Sequence, residues 1–153
     1  MTDTTMAPRA GGVPWHLWVV GILSLLWNGF GGYDFIMTTT QGEAYMRSSG
    51  FDQGMIDYYM ALPAWMYVPW TLGVWGGVAG SILLLMRNRL AVWAFGLSLL
   101  GAVVSLIYGQ FINPPPALPP ELAAMSYMPW VIAVIAALLA WYAWAMARRG
   151  VLR

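Results

Sequence analysis

Four stretches of this chain, residues 15–37, 64–86, 90–112 and 128–147, are long, apolar and nearly free of charge. Asp34 is the one Asp, Glu, Lys or Arg within them. A helix rises ~1.5 Å per residue, so each stretch is long enough to cross the ~30 Å hydrocarbon layer of a bilayer. A chain of 153 residues that is 60% hydrophobic and 8% charged has too small an interior to hide such segments from water. The sequence therefore predicts an all-α integral membrane protein, with four transmembrane helices in an antiparallel bundle forming a single domain over 15–147.

The connections are read by their punctuation. Residues 1–14, with Pro8, Gly11, Gly12 and Pro14, predict a disordered tail, and 148–153 a second short tail. Within 38–62, Phe51, Met55 and Tyr59 recur every four residues with Ile56 and Met60 beside them, while Asp52, Gln53 and Asp57 fall elsewhere on the wheel. That spacing predicts a short amphipathic helix between the first two spans, lying on the membrane surface and begun by a Ser49–Asp52 capping box. Arg87-Asn88-Arg89 reads as a tight turn, and Pro114-Pro115-Pro116 with Pro119 and Pro120 as a stiff, extended linker.

With four spans, both ends of the chain and the 87–89 turn share one side. That side carries Arg9, Arg87, Arg89, Arg148, Arg149 and Arg153, which is six of the seven basic residues, and Arg47 alone lies on the other. The positive-inside rule then places both termini in the cytoplasm of a multi-pass protein of the plasma membrane. Two short echoes hint at a repeated hairpin. Leu23-Ser24-Leu25-Leu26 returns as Leu97-Ser98-Leu99-Leu100, and Tyr67-Val68-Pro69-Trp70 as Tyr127-Met128-Pro129-Trp130.

In lipid, helices associate where small residues let backbones approach. Gly73, Gly77 and Ser81 recur at intervals of four in the second span, Ser98, Gly101, Ser105 and Gly109 share a face of the third, and Gly21, Ser24, Asn28 and Gly32 one of the first. The fourth span offers only alanines and is expected to be the most lipid-exposed. Asn28, near mid-membrane, needs a hydrogen-bond partner, for which Ser98, Ser105 and Tyr108 are candidates. Its alternative role is a polar contact in a solute pathway, with Tyr33, Asp34 and Gln110 as further candidate ligand-binding residues. Asp34, near the outer edge of the hydrocarbon, must pair with a cation, reach headgroup water or be protonated. An Asp34–Arg47 ion pair is the expected arrangement, and a functional acid in an outward-facing cavity with Gln110 or Asn113 the alternative.

The chemistry the sequence offers is narrow. There are no cysteines, and the net charge of +1 without a basic run suits no nucleic-acid partner. No span beyond the first supplies an ionisable group at depth, and no nucleophile, base and oxyanion donors converge, so no enzyme, metal or cofactor is expected.

Several strings carry a resemblance: Leu26-Trp27-Asn28-Gly29 with Tyr33, Pro63-Ala64-Trp65, and Gly73-Val74-Trp75-Gly76-Gly77 with Gly80. Leu83-Leu84-Leu85-Met86-Arg87, Ala91 and Ser98-Leu99-Leu100-Gly101 extend it. Over roughly residues 17–105 the chain resembles a family of small four-helix proteobacterial inner-membrane proteins often labelled "sugar transporter". The resemblance implies a bacterial inner membrane and a small-solute, sugar-like transport or binding role. Four spans rarely enclose a pathway alone, so that role calls for a homo-oligomer. The competing expectation is a non-catalytic accessory subunit packed against a larger membrane complex.

Overall fold

The structure is a computed structural model and describes residues 12–118 and 120–153. Most of the tail expected over 1–14, residues 1–11, lies outside the described residues. Every regular element among the described residues is helical: α1 (Trp15–Gln41), α2 (Glu43–Ser48), α3 (Gln53–Met60), α4 (Tyr67–Leu85), α5 (Leu90–Ile107) and α6 (Met128–Arg148). A 3-10 turn at Ala64–Met66 leads into α4, and a 3-10 stretch over Pro120–Tyr127 leads into α6. A π-helical turn, Tyr108–Ile112, extends α5 to the proline linker. Four segments are long and apolar enough to cross a membrane: Trp15–Gln41, Ala64–Leu85, Leu90–Ile112 and Leu122–Arg148.

α4 lies between α1 and α5, and α6 packs on α5. The α4–α5 contact is the most extensive, and its small residues explain why. A Cβ built on Gly76 would lie 2.9 Å from the Ala94 carbonyl oxygen and 3.0 Å from the Ser98 nitrogen. At Gly101 it would lie 2.5 Å from the Gly73 nitrogen. The two backbones touch here without intervening side chains, and the Ser98 hydroxyl donates across the seam to the Gly73 carbonyl at 2.6 Å. Toward α1, Gly21 meets the Leu85 side chain, Gly32 meets Val78 and Trp75, and Gly77 meets Asn28, its Cβ position lying also 3.2 Å from the Ser98 hydroxyl of α5. The pairs step up α1 as they step down α4, the register of antiparallel neighbours. α6 is the most exposed of the four segments within the chain.

Two expectations about the connections change. α1 runs on through Gln41 because the Thr39 and Thr40 hydroxyls donate back to the Phe35 and Ile36 carbonyls, at 2.8 and 2.7 Å. Threonines satisfied this way let a polar run stay helical. The 38–62 connection then holds two short helices, not one. Asp52 caps α3 itself, its side chain accepting from the Met55 nitrogen at 2.9 Å. Ser49 donates back to the Tyr45 carbonyl at the end of α2, so it is a terminator and no capping box forms.

The arginine-rich end is tightly built. α6 closes in a Schellman motif, with Gly150 at φ +70 and amides of Gly150 and Val151 bonded to the Ala147 and Met146 carbonyls. α4 closes the same way, but Arg87 holds the left-handed position, at φ 58, that glycine usually fills. Beyond Gly150 the chain turns back along the 87–89 turn, where the Arg89 amide donates to the Arg153 carbonyl at 2.9 Å and the Arg153 amide to the Arg87 carbonyl at 2.7 Å. Leu152, 2% exposed, inserts among Leu17, Leu84, Phe95, Ala143 and Met146. The stretch expected as a short tail is therefore a docked plug. What the sequence hides is that one leucine in six polar-looking residues supplies the anchor.

Candidate functional site

Asn28 and Asp34 lie on α1, and Asp34 is the one Asp or Glu in the four spanning stretches 15–37, 64–86, 90–112 and 128–147. Asn28 donates to the Ser24 carbonyl at 2.9 Å and to the Ser81 hydroxyl at 3.2 Å, and Ser81 in turn donates to the Gly77 carbonyl at 2.8 Å. The partner is Ser81 on α4, and not Ser98, Ser105 or Tyr108, because α4 stands between α1 and the helix that carries those three. Gly77 makes room for the amide, since a Cβ there would overlap the Asn28 side chain. Gly32 packs, but Gly29 and Gly31 face open space, and so does Gly109 on the π-helical turn. A residue turns ~100° about the axis per step, so glycines one position off the Asn28–Gly32 stripe leave the seam. The Ser105 hydroxyl is buried without a hydrogen-bond partner among the described residues.

Removing the Asn28 amide tests its role as a helix connector. Asn28→Ala is expected to cost about 1 kcal/mol, the usual worth of an interhelical hydrogen bond in lipid. Gly77→Ala alone should cost more, and part of that cost should vanish in the double variant, because the overlapping side chain is gone. Denaturant titration in detergent micelles measures the cycle; strictly additive effects would show that the two positions do not touch.

Asp34 accepts a hydrogen bond from the Tyr45 hydroxyl at 2.9 Å. Arg47 is bound instead to Glu43, one helical turn away on α2, and to the Gln53 side chain at 2.6 Å. The expected Asp34–Arg47 pair is not formed, since each group has a nearer partner. Tyr33 is exposed and meets the Tyr45 ring edge-on, with centroids 6.4 Å apart. Phe35 packs on Trp70 with centroids 4.6 Å apart. Gln110, half-buried on the π-helical turn, makes no hydrogen bond to Asn28, Tyr33 or Asp34, and that turn does not pack against α1 to any extent. α3 is tied down separately, the Tyr58 hydroxyl donating to the Asn113 carbonyl at 2.6 Å. Tyr45 is the member of this cluster that sequence reading missed. Its position four residues before Ser49, in a polar connection, carries no periodic signal.

Partial burial, and after it the Asp34 hydrogen bond, push the Tyr45 phenol above its usual 10.0. A folded value raised in this way contributes stability that is complete below the unfolded pKa and is lost as pH rises through the folded one. Absorbance titration of tyrosinate, as the difference between the protein and Tyr45→Phe, should show Tyr45 ionising late. In Asp34→Asn its pKa should fall, because the carboxylate that repels a phenolate is gone. An unchanged titration would mean that Asp34 and Tyr45 are apart in solution.

These residues do not surround a hollow. A shallow groove of about 260 Å³ runs along α4 beside Tyr67, Val68, Thr71 and Leu72. A second hollow lies at the arginine-rich end. There His16, on α1, shares a hydrogen bond of 2.5 Å with the Tyr142 hydroxyl of α6, a link between the two outer helices. Among the described residues no three His, Asp or Glu side chains converge as a metal centre requires. No protein-family model matches the chain, and neither a curated protein nor a solved structure matches it.

Proposed function

We propose that the protein is a four-span bundle of a bacterial inner membrane, with its arginine-rich end cytoplasmic, and that it acts by association, as a non-catalytic accessory subunit of a larger membrane complex. The observation that carries this is the use made of Asn28. Its amide is spent on Ser24 and Ser81 inside the α1–α4 seam, where a solute pathway would leave it facing a passage. The exposure of α6 agrees, since a helix that packs little within its own chain has a face to offer. The competing reading, sugar-like solute binding by a homo-oligomer, keeps one supporting observation: exposed Tyr33 and half-buried Tyr45 and Asp34 group an aromatic pair with an acid, the kind of surface that meets a sugar ring.

Purification of the full chain from native membranes in mild detergent separates the two. A stoichiometric larger partner is the expected result, and a lone or self-associated species would overturn the accessory reading. The orientation has its own check, helped by the absence of cysteine. A membrane-impermeant maleimide should label Gln41→Cys in intact cells and Asn88→Cys only after permeabilisation. The reverse pattern would invert the topology.

A further inference from the structure

The arginine-rich end contains a cavity of about 420 Å³ whose wall includes Arg87, Arg149 and Arg153, with Val13, Pro14 and Val151 supplying an apolar side. We propose that this cavity binds a phosphate-bearing anion, with the guanidinium groups holding the phosphate and the apolar side taking what is attached to it. The proposal goes beyond the association reading and shares no residue with the Asn28 seam.

Three features support it. First, like charges are gathered at an end where no Asp or Glu stands among the described residues. The one salt bridge among the described residues is Arg47 with Glu43, on α2. Asp34, on α1, stands nineteen residues from Trp15, or ~28 Å along the helix. Three guanidiniums around one hollow repel one another unless an anion joins them. Second, the backbone that carries the arginines is held in place. Arg87 occupies a left-handed conformation at φ 58, which an L side chain adopts at a cost, and its Nε donates to the Val151 carbonyl at 3.3 Å. Arg149 and Arg153 flank the Gly150 turn, fixed by the Schellman bonds and by the paired Arg87–Arg153 and Arg89–Arg153 backbone contacts. Third, the chemistry matches. Guanidinium forks bind phosphate oxygens two at a time, and basic pockets at the cytoplasmic ends of membrane helices suit anionic headgroups. The other described arginines at this end are used differently: Arg148 lies over the Trp144 ring, 4.8 Å from its centroid, and Arg89 is not part of the cavity wall.

The phosphate can come from a lipid headgroup or from a soluble phosphate compound, and two probes distinguish them. The full chain in mild detergent is titrated with phosphatidylglycerol, against phosphatidylcholine, by native mass spectrometry, and with inorganic phosphate by calorimetry. Arg149→Gln with Arg153→Gln should weaken binding about tenfold or more, while Arg89→Gln with Arg148→Gln, equal in charge removed, should change it by less than about twofold. Arg87→Gly provides a second route, because glycine keeps the left-handed turn while removing the guanidinium, and it should also lose binding with the unfolding midpoint held. Site-dependent binding of phosphatidylglycerol alone identifies a lipid headgroup, and of inorganic phosphate a soluble ligand; either supports the site. Equal losses in the two double variants would reduce the effect to general charge and overturn the proposal, as would binding of neither probe.

Discussion

Gly101→Ala is expected to destabilise the protein by about 3 kcal/mol, the upper end of what one added methylene costs in a packed interior. The new Cβ would land on the Pro69 carbonyl oxygen and 2.5 Å from the Gly73 nitrogen, both backbone atoms. A side chain can swing aside, but a helix backbone moves only as a unit, so α4 and α5 would have to separate along their length. That separation would also stretch the 2.6 Å bond from Ser98 to the Gly73 carbonyl and unseat Gly76 from Ala94. Gly96→Ala on the same helix is the matched control. Nothing lies within 4 Å of its Cβ position, and alanine favours a helix over glycine by up to about 1 kcal/mol. Denaturant titration in detergent should therefore show a large loss for Gly101→Ala and none for Gly96→Ala. Similar behaviour of the two would mean that the α4–α5 backbones are not in contact.

Leu152→Ala is the second large effect, expected near 2–3 kcal/mol from the hole left among apolar neighbours. It belongs to one buried cluster with Leu17 from α1, Leu84 from α4, Phe95 from α5, and Ala143 and Met146 from α6, so it joins a core to which every spanning helix contributes. Loss of the leucine should release the return strand as well. The amides of Arg89 and Arg153, whose partners are the Arg153 and Arg87 carbonyls, should then exchange with solvent much faster. Unchanged exchange with unchanged stability would show that the end of the chain is not docked.

The spans were legible because length and lack of charge are enough to define them: the four expected segments coincide with the four long apolar helices to within a few residues. Small-residue spacing marks Gly73, Gly77 and Gly101, where a Cβ would meet a neighbouring helix, and equally Gly109, where it would meet nothing. Partnerships were not legible. Spacing within one helix says which face is small but not which neighbour meets it, so it offers Asn28 the hydroxyls of the third span, whereas the helix beside it is α4. Asp34 was matched to Arg47 by charge alone, whereas the structure satisfies it with the phenol of Tyr45 and gives Arg47 the nearer Glu43. The docked end of the chain carried no signal because a single buried leucine has no period.

The α4–α5 seam also bears on how such a molecule can move. The sequence echoes hint at two hairpins, α1 with α4 and α5 with α6, and repeated halves in transporters commonly rock against each other. Here the boundary between those halves is the place where backbones touch, bolted by Ser98 and Gly73. Sliding motions run along interfaces padded by side chains that can repack, and bare backbone contact offers no such padding. α4 and α5 therefore form the fixed frame of the bundle, to which α1 is joined through the Asn28–Ser81 hydrogen bond and α6 by packing on α5.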